Sequence, residues 1–159
     1  MDCPHHLGQP VISVTVATTA DAAHWAAMRQ ALWPKANPGQ HDADIARLLA
    51  VPGDTINFIA WADDHRPAGF AEAGLRHDYV NGTESSPVAF LEGIFVAPEF
   101  RRTGVAGQLV KAVENWARQL GCSELASDTG IANVASQKLH GALGFTETQR
   151  VVFFRKILD

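Results

Sequence analysis

The sequence predicts a mixed α/β (α+β) fold in which helices cover both faces of one central sheet. Three observations predict it: strand-like segments between residues 11 and 76, a nearly continuous apolar run at 87–96, and a strongly amphipathic helical pattern from Val105 to Leu120. Hydrophobic residues make up 47% of the 159 residues, which suits one domain with a single core. We therefore predict one domain over residues 1–159, with residues 1–10 flexible.

The first part of the chain predicts one strand followed by two helices. Residues 11–17, VISVTVA, alternate branched apolar and polar side chains, as strands do. The helical pattern ADAAHWAAMRQALW begins after a capping threonine, Thr18 or Thr19, and ends at a proline. A second, short helix is predicted from Asp42 to Ala50.

Three strands are predicted next. TINFIAWA at 55–62 and AGFAEAGLR at 68–76 are separated by the polar turn DDHRP, and Asn81–Gly82 is a strong turn signal. The run PVAFLEGIFV at 87–96 is apolar apart from Glu92, which is typical of a central strand buried on both faces.

The rest of the chain predicts a helix, a short strand, a second helix and a terminal strand. The amphipathic pattern that starts at Val105 is closed by Gly121. SELAS at 123–127 predicts the short strand, and NVASQKLHGAL at 133–143 predicts the second helix. FTETQRVVFFRKIL at 145–158 predicts one or two final strands.

Charge and cysteine content exclude several classes of function. The formal net charge of −4 argues against a sequence-independent nucleic-acid binder and leaves room for a cationic substrate. The N-terminus lacks the pattern of a signal peptide, and no apolar run is long enough to cross a bilayer. Cys3 and Cys122 match no metal or redox spacing. Six histidines also lack the spacing of metal ligands: His5, His6, His24, His41, His65 and His77. We therefore expect a cytoplasmic protein without a metal, nucleic-acid or membrane partner.

The segment RRTGVAG, residues 101–107, combines features of an anion-binding loop. Gly104 and Gly107 permit close approach of the backbone, and the helix that follows presents its N-terminal N–H groups. Two arginines add positive charge at the rim, but the loop matches neither a Walker loop nor a dinucleotide fingerprint. Taken alone, it is either a phosphate cradle or a plain surface turn.

The same loop resembles the R/Q-x-x-G-x-G/A pyrophosphate loop of the GNAT superfamily of acetyl-CoA-dependent N-acetyltransferases. The apolar strand before it, the helix after it and the segment LHGALGF fit that superfamily in order, over residues 11–158. A narrower resemblance, to the aminoglycoside 6′-N-acetyltransferases, is carried by LRHDYVNGTESSPVAFLEGIFV, ELASD, NVASQKLHGALGF and RVVFFRK. The resemblance implies a mixed, mostly antiparallel sheet with one splayed parallel strand pair.

The resemblance also implies how acetyl-CoA, the acetyl donor, binds. Backbone groups of Ile94, Phe95 and Val96 would bond the pantetheine arm, and one N–H would polarise the acetyl carbonyl. Asn133 would bond cofactor atoms, although it equally fits the N-cap of the following helix. The pyrophosphate would lie on Arg101, Arg102, Thr103, Gly104, Val105, Ala106 and Gly107.

Two residues are candidates for proton transfer. Glu92 interrupts an apolar run, where a buried charge requires a partner. It is either a base that acts through water and anchors an amino group, or a strand glutamate that faces solvent or pairs with an arginine. His140 stands where many members of the superfamily have a tyrosine that serves the leaving thiolate. It either donates a proton there or is a structural histidine.

An acidic cleft for a polycationic sugar would combine Glu72, Glu92 and Asp128. Glu72 alternatively faces solvent from its strand, and Asp128 alternatively caps a helix or turn. Trp33 and Tyr79 are candidate rings for stacking on the sugar, although packing in a core or interface is the more usual role of such aromatics.

The implied function is direct transfer of acetyl to the 6′-amino group of aminoglycosides in a ternary complex, conferring antibiotic resistance. Related enzymes often carry an acidic residue where this chain has Gln149, and the neutral amide would weaken attraction for one ammonium group. Two rivals remain: an acetyltransferase for a polyamine or other small cationic amine with incidental aminoglycoside activity, and a non-catalytic CoA-binding module. The apolar end RVVFFRKIL favours pairing with another chain, and we predict a homodimer.

Overall fold

A computed structural model describes residues 8, 10–51 and 53–159, so the predicted flexibility of residues 1–10 lies almost wholly outside the described residues. The described chain forms one sheet in the order β1-β2-β3-β4-β5. Strands β1 to β4 pair with one another in antiparallel fashion, and β5 pairs with β4 in parallel. The strands are β1 Ile12–Val16, β2 Thr55–Ala62, β3 Pro67–Arg76, β4 Val88–Val96 and β5 Leu125–Ser127, and the helices are α1 Ala22–Leu32, α2 Pro38–Ala50, α3 Val105–Gln119 and α4 Val134–Ala142.

Helices cover both faces of the sheet, because the strands alternate their side chains between two apolar layers. On one face, Leu91 packs with Leu109 and Val113 of α3. On the other face, Phe70 packs with Trp25 of α1 and Ile45 of α2. The predicted mixed, mostly antiparallel sheet with one parallel pair and helices on both sides is confirmed.

Helix α2 begins four residues before the predicted start at Asp42. The side chain of Asn37 accepts a hydrogen bond from the backbone N–H of Gly39 at 2.9 Å, and Pro38 occupies the first helical position. Proline is favoured there because the first N–H groups of a helix have no intrahelical acceptor. The segment NPGQ therefore starts a helix here instead of only breaking the previous one.

The prediction of a terminal strand at 145–158 is wrong for the single chain. No strand forms there, and the apolar side chains stand in solvent, with Phe153 86% and Phe154 93% exposed. A strand requires a hydrogen-bonding neighbour, and β5, the last strand of the sheet, pairs only with β4 among the described residues. Among those residues, no helix is both long and apolar enough to span a membrane.

Candidate active site

Strand β4 parts from β5 halfway along its length. The parallel pairing joins Ala89 to Leu125 and ends where Leu91 meets Ser127, whereas β4 continues, paired with β3, as far as Val96. Between residues 92 and 96, the edge of β4 on the β5 side therefore has no strand neighbour in the described structure. Backbone groups on this edge are available to an extended ligand, as the predicted contacts of Ile94–Val96 require.

The strands part at a β-bulge centred on Glu92. Gly93 pairs with Glu72 and Leu91 pairs with Ala73, so Glu92 is the additional residue on β4. A bulge of this kind re-aims side chains next to functional sites. Gly93 lies against α1, where a Cβ atom would come within 2.7 Å of ring carbons of Trp33.

Glu92 forms an ion pair with Arg76 at the end of β3. Nη2 of Arg76 donates to Oε1 and Oε2 of Glu92 at 2.8 and 3.0 Å. The guanidinium carbon lies 3.9 Å from the ring centroid of Phe90, within the range of a cation–π contact. The Glu92 side chain is 42% exposed, so the carboxylate is accessible from solvent while it is held by an arginine.

Glu72 lies inside the protein, where it joins β3 to α1. Its carboxylate accepts hydrogen bonds from Trp25 Nε1 at 2.9 Å and from Arg29, which also pairs with Asp44 at 3.0 Å. Burial raises the pKa of Glu72, and the contacts with Arg29 and Trp25 oppose that rise. The residue is 7% exposed, so this arrangement holds α1 on the sheet and offers no carboxylate to a cleft.

A large groove of about 1180 Å³ runs between β5, α4 and the C-terminal segment. It brings together four of the predicted site residues: Tyr79, Asp128, His140 and Gln149. Glu92 is not part of its lining, but its partner Arg76 is. Trp33 also lies outside the groove. The guanidinium carbon of Arg29 is 4.8 Å from the centroid of its ring, and the ring of Phe70 packs edge-on with a centroid distance of 6.1 Å. The packing alternative therefore describes the position of Trp33.

His140 is connected to the point where β4 and β5 separate. Its Nδ1 lies 2.7 Å from the carbonyl oxygen of Ser136, which can only accept, so the proton is on Nδ1. Its Nε2 lies 2.8 Å from Ser127 Oγ, and that hydroxyl is 3.1 Å from the carbonyl oxygen of Leu91. Asn133 occupies its alternative position, the N-cap of α4, where it accepts from the N–H of Ser136 at 3.1 Å.

The loop before α3 presents unused N–H groups to open space. Among the described residues, none of the backbone N–H groups of 102–107 donates to a backbone carbonyl. Gly104 adopts a left-handed φ of 86°, which favours glycine, and a Cβ on Gly104 or Gly107 would meet nothing within 4 Å. Arg101 donates through Nε to the carbonyl of Val96 at 3.3 Å. The backbone of this loop thus fits an anion, and Arg101 stabilises the end of β4.

Two residues of this region escape the sequence analysis. Arg76 closes the strand 68–76, and its link to Glu92 depends on the register and bulge of a hairpin that the sequence specifies only approximately. Ser127 precedes Asp128 in a short strand, and its role follows from contacts with α4. The described part of the chain contains no group of three or more histidine, cysteine, aspartate or glutamate side chains arranged to hold a metal ion.

Comparisons with known proteins match nearly the whole chain. The model of the acetyltransferase (GNAT) family matches residues 25–145. Aminoglycoside N(6′)-acetyltransferase type 1 from Serratia marcescens is 58% identical over 84% of this chain and 91% of its own length. The protein of the same name from Stenotrophomonas maltophilia is 48% identical over 92% of this chain and 94% of its own.

Solved structures of aminoglycoside acetyltransferases superpose closely on this chain. AAC(6′)-Iy in complex with the bisubstrate analogue CoA-S-monomethyl-acetylneamine superposes with a TM-score of 0.87 at 48% identity, covering 93% of this chain and 99% of that one. The aminoglycoside N-acetyltransferase AAC(6′)-Iy in complex with CoA superposes with a TM-score of 0.88 at 47% identity, covering 94% and 97%.

Proposed function

Because the chain belongs to the acetyltransferase (GNAT) family, we propose that it transfers the acetyl group of acetyl-CoA to the 6′-amino group of aminoglycosides. The aminoglycoside is proposed as the acceptor because a relative named for this reaction is 58% identical over 84% of the chain. The parted strands beside the N–H-rich loop support acetyl-CoA as the donor. The relatives named above give no support to a polyamine as the principal acceptor.

The donor lies along the free edge of β4. The N–H groups of residues 102–107, with the positive end of the α3 dipole, hold the pyrophosphate. Backbone groups of Ile94, Phe95 and Val96 bond the pantetheine arm, and one N–H polarises the thioester carbonyl. The thioester then lies near the bulge at Glu92 and the Ser127–His140 contact.

The acceptor binds beside Glu92 and along the groove that contains Asp128. The ammonium group gives one proton to Glu92 through water, and the free amine attacks the thioester carbonyl carbon. As the C–S bond breaks, the attacking nitrogen loses its second proton. The thiolate takes one proton from the hydrogen-bonded Ser127–His140 pair, and the second proton of the nitrogen replaces it. The products are an N-acetylated drug, free CoA thiol and one proton released to solvent.

Acetylation removes one positive charge from the drug and turns a donor-rich ammonium into an amide. A polycation that relies on charge and hydrogen bonds to bind its target is weakened by both changes, which is the basis of resistance. The reaction uses acetyl-CoA, and we infer that it takes place in the cytoplasm, where that metabolite is made.

A thiol-release assay with acetyl-CoA and an aminoglycoside panel tests the function. We expect release with compounds that carry a 6′-amino group and none with analogues that carry a 6′-hydroxyl. Glu92→Gln is expected to lower kcat/KM about 100-fold, the contribution typical of a positioned base. Asp64→Asn is a matched control, because Asp64 is also about half exposed and paired with an arginine, Arg66, but lies in the β2–β3 turn.

Absence of thiol release with every 6′-amino compound would contradict the proposed function. Full activity of Glu92→Gln would remove Glu92 from the reaction while leaving the function intact.

We infer further that two copies form a homodimer through their C-terminal segments. Residues 146–159 carry six exposed large apolar side chains, and β5 offers an edge without a neighbour. The segment of a second copy, extended and β-prone, has the length and apolar character to pair with that edge.

A further inference from the structure

We infer that Arg76 is a built-in counter-ion that positions Glu92 and competes with the ammonium group of the acceptor, an inference that rests on the proposed function. The ion pair occupies the accessible carboxylate of the bulge. An acceptor ammonium that reaches Glu92 must therefore share this carboxylate with the guanidinium or displace it.

Arg76 is held by two side chains, Glu92 and Phe90, which makes it a positioned counter-ion. Its Nη2 reaches both oxygens of Glu92, and its Nε lies 3.3 Å from Oε1. Its guanidinium is 3.9 Å from the centroid of Phe90, a residue that is 5% exposed and anchored in the sheet. Arg76 itself extends from the last position of β3, opposite Val88. These contacts restrict rotation of the Glu92 side chain.

The pair also sets the charge that an acceptor meets. With Arg76 in place, the nearest carboxylate to the bulge is neutralised, and a single ammonium gains little by approaching it. A polycation gains more, because a second ammonium can bind Asp128 in the groove that Arg76 also lines. Arg76 therefore favours acceptors with several charges and lowers the affinity for all of them.

Removal of the arginine separates these two effects. Arg76→Gln leaves Glu92 with its full negative charge, so the KM for an aminoglycoside is expected to fall about threefold or more. The same variant leaves Glu92 free to rotate, so kcat is expected to fall about tenfold. Arg76→Lys retains the charge without the planar fork and is expected to keep the wild-type KM with an intermediate kcat.

The experiment measures kcat and KM for one 6′-amino aminoglycoside at saturating acetyl-CoA, with calorimetric binding of the drug alongside. Arg66→Gln is the matched control: Arg66 also pairs with a carboxylate and lies 5.0 Å from a phenylalanine ring centroid, but in the turn at the opposite end of β3. An unchanged or higher KM in Arg76→Gln, or an unchanged kcat, would overturn the inference. Inactivity of the wild-type enzyme with all such drugs would instead overturn the proposed function, so the two failures are distinguishable.

Discussion

At the scale of single residues, Glu124 fixes the loop that carries Tyr79. Its Oε1 accepts hydrogen bonds from the backbone N–H groups of Glu84 and Ser85 at 2.9 and 2.8 Å, and also from the Ser85 hydroxyl. The hydroxyl of Ser85 and these N–H groups lower the pKa of Glu124 below its ordinary value. One carboxylate just before β5 therefore holds residues 84–85 and keeps the rim of the groove in place.

Glu124→Gln is expected to lower the melting temperature at pH 7, because the amide binds the two N–H groups more weakly than a carboxylate does. A carboxyl whose pKa is lowered by folding stabilises the protein above its ordinary pKa, and this stability is lost as pH falls through the folded-state pKa. The difference between wild type and variant should therefore close below the ordinary value of 4.5.

Melting temperatures from pH 3 to pH 8 on the two proteins measure this, with the exposed Glu99→Gln as control. A difference that persists at pH 3 would show that the variant acts through packing and not through the charge of Glu124.

The residue scale is also where sequence analysis reached its limit. Glu92 was found because a charge inside an apolar run stands out, but its partner Arg76 is 16 residues away and depends on the bulge. The sequence predicts Glu72 in the acidic cleft, yet its partners Trp25 and Arg29 lie 47 and 43 residues away on α1. Strand neighbours alone do not reveal whether a carboxylate faces a helix or an open cleft.

At the scale of elements, the contact between the β4 bulge and α1 connects the core to the site. Trp33, just after α1, packs on Gly93, and Arg29 lies over the same indole. Since Glu92 directly precedes Gly93, the position of α1 determines where the bulge, and with it the carboxylate, can lie.

Gly93→Ala tests this contact. A Cβ atom at position 93 would lie 2.7 Å from two carbons of the Trp33 ring, so the ring or the strand must move. Such overpacking typically costs about 1–3 kcal/mol of unfolding free energy. We also expect kcat to fall, because the displacement moves Glu92.

Chemical denaturation and the thiol-release assay measure the two effects. Gly53→Ala is the control, since Gly53 lies before β2 and outside the groove, and a Cβ there would meet nothing within 4 Å. Gly93→Ala with wild-type stability and activity would show that the bulge tolerates movement and does not transmit the position of α1.

Elements with strong local patterns were predictable from sequence. The strands from Thr55 to Val96 and helix α3 agree with their predictions within about one residue at each end, because burial on the sheet imposes a clear apolar periodicity. The predicted start of α2 is four residues too late, because Asn37 and Pro38 can signal either the end of one helix or the start of the next. The predicted terminal strand does not form in the single chain for a different reason, since a strand exists only when another strand is beside it.

At the scale of the whole molecule, the described chain has an open sheet whose β5 edge has no strand neighbour, and an apolar C-terminal segment that could pair with such an edge. Val151, Val152, Phe153 and Phe154 form the apolar part of that segment and are between 47% and 93% exposed. Leaving this much apolar surface in water is unfavourable, and burial in a second copy removes it for two chains at once. A two-fold arrangement would also cover the β5 edge of each copy, which an isolated chain leaves exposed to aggregation.

The double variant Phe153→Asp/Phe154→Asp should therefore convert a dimer into a monomer. Two buried aspartates without partners oppose association, whereas two phenylalanines are the largest apolar groups that the segment offers. Light scattering during size exclusion should give twice the chain mass of 17.1 kDa for wild type and that single mass for the variant. Val51→Asp is the control, because Val51 is 67% exposed at the end of α2, away from the segment, and should leave the dimer intact. A monomeric wild type at working concentration would contradict the dimer, and a variant that stays dimeric would place the interface on another surface.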